Sequence, residues 1–187
     1  MTIEEVLARL SDGNKRFATN QLNGDLQGSS RRKLIIDGQK PFATILGCAD
    51  SRIVPELIFD TGLGELFVVR VAGNVANKSS VASIEFAVAH LNTKVIIVLG
   101  HQNCGAVTAA LKGGNNGENL NHLLSYLTPA IEASSKMATV NDVAKMNTKL
   151  TANELIAKSD IIKKAVDNGN VTVVPAYYDM DSGRVDF

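Results

Sequence analysis

Phe42-Ala43-Thr44-Ile45-Leu46-Gly47-Cys48-Ala49-Asp50-Ser51-Arg52 is the stretch on which the fold turns. The run 42–47 follows Pro41, is too short for a helix and is apolar on both faces, as a strand inside a parallel sheet is. It stops at Cys48, with Asp50 and Arg52 just beyond it. Working toward the C-terminus, Pro55 suits the first turn of a helix, and Asp60-Thr61-Gly62-Leu63-Gly64 reads as a turn into a second strand, 66–71, closed by a loop at Gly73-Asn74. Ser80 reads as the cap of a helix reaching about His90, and Val95-Ile96-Ile97-Val98-Leu99 as a third strand. His101 and Cys104 follow that strand, and a helix is expected from about Cys104 to Leu111.

The flanks complete the pattern. Ile3, Val6, Leu7, Leu10 and Phe17 recur at helical spacing, so 3–18 reads as an amphipathic helix with Gly13 weakening its middle. The polar stretch 21–30, with Gly24 and Gly28, reads as an extended arm of the kind that wraps a neighbour such as a second subunit. Lys112-Gly113-Gly114-Asn115-Asn116-Gly117 is the most flexible-looking segment. Helical stretches at about 119–136 and 139–167 precede a last strand, 171–177, which Tyr177 and Tyr178 finish. Strands alternating with helices define an α/β fold: a mostly parallel central β-sheet flanked by helices, with an N-terminal helical arm. Ligands of such sheets sit beyond the carboxyl ends of the strands, where strand order reverses. No internal repeat or low-complexity tract is visible.

Bulk properties narrow the function classes. A chain of 187 residues, 45% apolar and 20% charged, suits one domain, 1–187, with a sizeable core. With 19 basic and 19 acidic residues the net charge is zero, which argues against nucleic acid or an anionic membrane as partner and for a small molecule. No apolar stretch approaches membrane-spanning length, and Met1-Thr2-Ile3-Glu4-Glu5 lacks the features of a signal peptide. A cytoplasmic protein is expected, or a periplasmic one if the chain is a processed form. Two cysteines exclude a disulfide framework, though not a single bridge.

Zinc takes thiolate sulfur and imidazole nitrogen in a tetrahedron. Cys48 at one strand end, with His101 and Cys104 at another, supply two thiolates and an imidazole. No fourth Cys or His stands at ligand spacing, which favours a catalytic site over a structural one. Two thiolates cancel the double charge of Zn(II), so bound water is acidified less than in a site of histidines alone. Asp50 is placed to compensate, as acceptor of a hydrogen bond from zinc-bound hydroxide or as a fourth ligand, and Arg52 can hold it through a charge-assisted fork. A switch follows as a hypothesis: low pH favours Asp50 on zinc, high pH favours Asp50 on Arg52.

Plainer readings exist for each residue. A lone cysteine is more often a small buried hydrophobe, and Asp50 with Arg52 could be a helix-start cap and an ordinary ion pair. His90 reads as a helix-end residue and His122 as a surface one, each a lesser candidate for moving protons. Gly62-x-Gly64 is a turn and no phosphate loop. Arg70 is a candidate partner for a buried acid such as Glu85.

Gly47-Cys48-Ala49-Asp50-Ser51-Arg52, Gly64 to Asn74, Ser83-Ile84-Glu85 and Gly100-His101-Gln102-Asn103-Cys104-Gly105-Ala106 closely resemble the beta-class carbonic anhydrases. The likeness extends to Gly13-Asn14-Lys15-Arg16-Phe17, to Gly38-Gln39-Lys40-Pro41-Phe42 and to Ala176-Tyr177-Tyr178-Asp179 with Gly183. It implies one zinc per subunit on Cys48, His101 and Cys104, the Asp50/Arg52 dyad beside it, and reversible hydration of carbon dioxide to bicarbonate and a proton by zinc-bound hydroxide. It further implies that Gly73, Asn74 and Gly105 line or support the substrate pocket, and that the protein is a homodimer or homotetramer with residues 1–30 packing on the partner. This chain has Ile53-Val54 where the pattern often has Val-Pro, and Gln102-Asn103 is a variable pair; neither difference is expected to touch the ligands. Alternatives on the same fold are hydrolysis of carbonyl sulfide or carbon disulfide, and a non-catalytic zinc-stabilised oligomer that binds bicarbonate. A redox dithiol is disfavoured because the cysteines do not form a Cys-x-x-Cys pair.

Overall fold

The computed structural model describes residues 1–24 and 26–187, so Asp25 of the expected arm lies outside the described residues. The stretch on which the reading turned forms β1 (Ala43–Gly47), buried throughout. It pairs in parallel with β2 (Leu66–Arg70) on one side and with β3 (Val95–His101) on the other. β4 (Thr172–Tyr178) continues the sheet in parallel beside β3, and β5 (Val185–Asp186) closes it antiparallel, in the order β2-β1-β3-β4-β5. The chain leaves β1 toward one edge and returns to β3 on the opposite side. The reversal of strand order therefore falls between the carboxyl ends of β1 and β3. In register, Gly47 faces Leu99, so Cys48 and His101 emerge at the same rim.

Helices cover both faces. α1 (Ile3–Ala18) starts with a capping box between Thr2 and Glu5, and lays Val6 and Leu10 on Ile45, Ile97 and Leu99. Gly13 costs α1 helix propensity for a packing reason: a Cβ there would lie 1.9 Å from the Phe59 carbonyl oxygen, at the end of α3 (Pro55–Ile58). On the other face, α4 (Lys78–Leu91), α8 (Val140–Lys158) and α9 (Asp160–Asp167) bury Ile84, Leu155 and Ile162 against Leu46, Ile96 and Val98. Each fully buried side chain of this size is worth about 1.5–3 kcal/mol. A third cluster, holding Cys48, Cys104, Val75, Val107, Leu127 and Tyr177, lies among α5 (Gly105–Lys112), α7 (Thr128–Ala133) and α8. No helix among the described residues is long and apolar enough to cross a membrane.

Several boundaries differ from the sequence expectations. α4 is capped by Asn77, whose Oδ1 accepts from the Ser80 amide at 2.9 Å, so Ser80 lies inside the first turn. The stretch 119–136 is two helices, α6 (Glu118–Ser125) and α7, the second restarted by Pro129 in its first turn. The stretch 139–167 breaks at Ser159, which ends α8 and caps α9 through its hydroxyl. β3 runs on to His101 because Gly100 and His101 pair with Tyr177 and Tyr178. The arm leads into a short helix, α2 (Ser29–Leu34), and before it Asn23 donates its amide to Asp60 while the Leu26 carbonyl accepts from Leu63.

Candidate metal centre

Cys48 follows β1, His101 ends β3 and Cys104 caps α5, with one candidate ligand atom of each within 4.8 Å of the others. All are buried, with His101 0% exposed. His101 Nδ1 lies 2.9 Å from the Gln102 carbonyl oxygen. A carbonyl only accepts, so Nδ1 carries the proton and the lone pair is on Nε2. That Nε2 is buried without a hydrogen-bond partner among the described residues. An orphaned imidazole nitrogen beside two thiols, the three within 4.8 Å of one another, is a donor set that fits a zinc ion. Gln102, expected to leave the ligands alone, thus orients His101 through its main chain.

The thiols are unequal. Cys48 is drawn well below the usual thiol range, first by its hydrogen bond from Cys104 against the opposing effect of burial, then by His101 and the amides of Gly73 and Asp50. Those amides lie 3.3 and 3.4 Å from Cys48 Sγ. Cys104 is pushed up, by that same contact with Cys48 and by burial. Two thiols this close share one proton, and a cation in its place would let both ionise.

Asp50 stands at the rim. Arg52 grips it with Nε to Oδ1 at 2.9 Å and Nη2 to Oδ2 at 2.7 Å, and the Arg52 amide reaches Oδ1 at 3.0 Å. The Arg52 bonds hold the Asp50 carboxyl well below the usual carboxylate range, despite some opposing burial. Arg52 Nη2 also donates to the Asn103 carbonyl at 3.3 Å, tying the β1 loop to the β3 loop. Its side chain is 53% exposed, so the dyad forms the solvent-facing wall of the centre.

Of the expected pocket residues, Gly73 and Asn74 lie in a single 3-10 turn, Ala72–Asn74, both buried. Gly73 has φ +74 and its missing Cβ would meet Leu127 and Ala106 at 3.3–3.4 Å, so glycine is needed there. The Asn74 side-chain Nδ2 is buried without a partner among the described residues. Gly105 is exposed at the start of α5, with open space where a Cβ would be.

Several supporting residues were not read from the sequence. Arg70 does not pair with Glu85; its Nε donates to the Cys48 carbonyl at 3.0 Å and its Nη2 to the Asp50 carbonyl at 2.6 Å, bracing the ligand loop. Glu85 instead accepts from Ser159. Asn141 accepts the Asn103 amide at 2.8 Å, holding the β3 loop while Asn103 adopts φ +53. An arginine at the end of a strand beside the ligand strand was the available signal for Arg70. Nothing local marked Asn141.

Comparison with known proteins agrees with this geometry. A family model described as carbonic anhydrase matches residues 43–185. Carbonic anhydrase 2 of Mycobacterium tuberculosis is 37% identical over 181 residues, covering 94% of this chain and 87% of that protein. The carbonic anhydrase of Mycolicibacterium smegmatis is 36% identical over 183 residues, covering 95% and 89%. Among solved structures, the Coccomyxa beta-carbonic anhydrase in complex with acetazolamide superposes with a TM-score of 0.76 at 26% identity, covering 96% of this chain and 85% of that one. The beta-carbonic anhydrase CafA of Aspergillus fumigatus gives 0.75 at 27%, covering 98% and 88%. A buried Cys-His-Cys cluster at the switch point of a mostly parallel sheet places the chain among α/β proteins with a site that fits a metal ion. Within that class, the chain belongs to the carbonic anhydrase family, in its beta class, whose activity is that of a carbonate dehydratase, a lyase.

Proposed function

We propose that the protein hydrates carbon dioxide reversibly to bicarbonate and a proton at a centre in which Cys48, His101 and Cys104 hold one zinc per chain. The observation that carries this is the buried, unpartnered His101 Nε2 facing two thiols. When bound, zinc supplies the Lewis acidity that lowers the pKa of water toward neutrality, here opposed by the charge of two thiolates. Gln102 fixes the His101 tautomer, while the Gly73 and Asp50 amides steady the Cys48 sulfur. Asp50, kept ionised and oriented by Arg52, accepts a hydrogen bond from the attacking water and so directs its lone pair at the carbon. The water oxygen bonds to carbon as one of its O–H bonds breaks, giving bicarbonate, and the proton goes to solvent. Gly73, Asn74 and Gly105 are assigned to the walls of the substrate site.

The reading treats 1–187 as one catalytic domain in a cytoplasmic homodimer or homotetramer, with 1–30 packing on a partner copy. Leu34 and Ile36, 79% and 80% exposed beside the arm, offer apolar surface for a second copy. Stopped-flow carbon dioxide hydration, run beside sulfide release from carbonyl sulfide and carbon disulfide, tests the substrate. Rapid hydration with little sulfide is expected. Sulfide release without hydration would replace the substrate, and neither activity in a zinc-loaded protein would leave a zinc-stabilised bicarbonate binder.

A further inference from the structure

We infer that Asn147 of α8 is a positioning residue for the metal centre, holding Gly73 in the conformation that aims its amide at the Cys48 sulfur. The inference rests on the metal reading above. Asn147 is 3% exposed in the interior of a 19-residue helix, where asparagine is a poor helix former and a buried amide is costly unless bonded. Its Nδ2 donates to the Gly73 carbonyl at 2.8 Å, and the Gly73 amide donates to Cys48 Sγ at 3.3 Å. Gly73 is thus held at both its amide and its carbonyl, at a φ of +74 that glycine adopts without strain but that these two bonds select.

α8 is well placed to do this. A Cβ on Gly100, which precedes His101, would lie 2.1 Å from Thr148 Oγ1, so the helix sits directly against β3 one residue after Asn147. Six positions before Asn147, Asn141 holds Asn103 in the loop between His101 and Cys104. One helix therefore braces the turn beside the first cysteine and the loop before the second. An N–H bonded to a thiolate withdraws charge from sulfur, leaving a bound cation more strongly Lewis acidic. Loss of the Asn147 donor releases Gly73, weakens that bond and makes the sulfur more electron-rich.

The test compares the parent, Asn147→Leu, Asn147→Ala and Leu155→Ala, each loaded with cobalt(II), together with zinc affinity measured against a chromophoric chelator. Leu155 is fully buried on the same helix but in the other core, so it reports loss of packing alone. Asn147→Leu keeps the number and branching of the side-chain heavy atoms while removing the donor, and Asn147→Ala serves if the bulkier chain is not accommodated. The thiolate-to-cobalt absorption band is expected at lower energy in the Asn147 variants because the sulfur is more electron-rich, and zinc is expected to be held about tenfold or more weakly because the released Gly73 turn no longer holds Cys48 in place, while Leu155→Ala keeps the parent's band and affinity. Asn147 variants with the parent's band and affinity would overturn the inference, as would equal changes in Leu155→Ala. A parent that takes up neither zinc nor cobalt would overturn the metal reading, and this inference with it.

Discussion

The Asp50/Arg52 pair concentrates the chemistry that the ligands alone lack. An ion pair this exposed contributes little to stability, typically below about 1 kcal/mol, so its geometry is better explained by orientation than by folding. Arg52→Ala should leave zinc content and melting temperature near the parent values while lowering kcat/KM about ten- to a hundredfold, read by metal analysis and stopped-flow hydration. An unchanged kcat/KM would make the pair a mere surface bridge. The ligands and this dyad were legible as residues because thiolate, imidazole and carboxylate chemistry is carried by side chains that announce themselves. Arg70, Asn141 and Gln102 were not, because each bond is made to or by a backbone carbonyl or amide whose position exists only once the chain is folded.

At the level of elements, the contact between α8 and β3 sets the back wall of the centre. Gly100→Ala would drive a Cβ into Thr148 Oγ1, and overpacking of this kind costs about 1–3 kcal/mol. Adding Thr148→Ala should recover part of that loss, since the clashing atom is removed; chemical denaturation of both variants and the double variant reads the coupling. Additive losses would place the strain elsewhere. β1 and β3 were legible because a strand buried along its whole length has no polar alternation to confuse it. The two-residue β5 has no period to detect, and Ser159 breaks a helical stretch through a bond to Glu85 that sequence distance conceals. Gly13 looked like a weakness in α1 and is a point of close approach to Phe59.

Across the molecule, Glu65 ties the N-terminal segment to the sheet, accepting from Arg9 and from the Gly62 amide, with Arg31 nearby. Burial pushes its carboxyl up, but the Gly62 amide and the arginines outweigh this and leave it below its ordinary value. A carboxyl depressed in the folded state contributes stability above its unfolded pKa of about 4.3, and that contribution is lost as pH falls through the folded value. Glu65→Gln should therefore be less stable than the parent by about 1–2 kcal/mol at neutral pH, the difference shrinking in acid below about pH 4; urea midpoints across pH check it. A difference that persists or grows in acid would contradict the ion-pair account.

The central claim is that a single zinc on Cys48, His101 and Cys104 makes this chain a carbon dioxide hydratase. Its most direct test is hydration rate measured against zinc content, for the parent stripped by chelator and reloaded and for Cys48→Ser. Hydration is expected to rise in proportion to zinc, reach its limit at one ion per chain and be lost in Cys48→Ser. Full hydration in the stripped protein, or in Cys48→Ser without metal, would contradict the account.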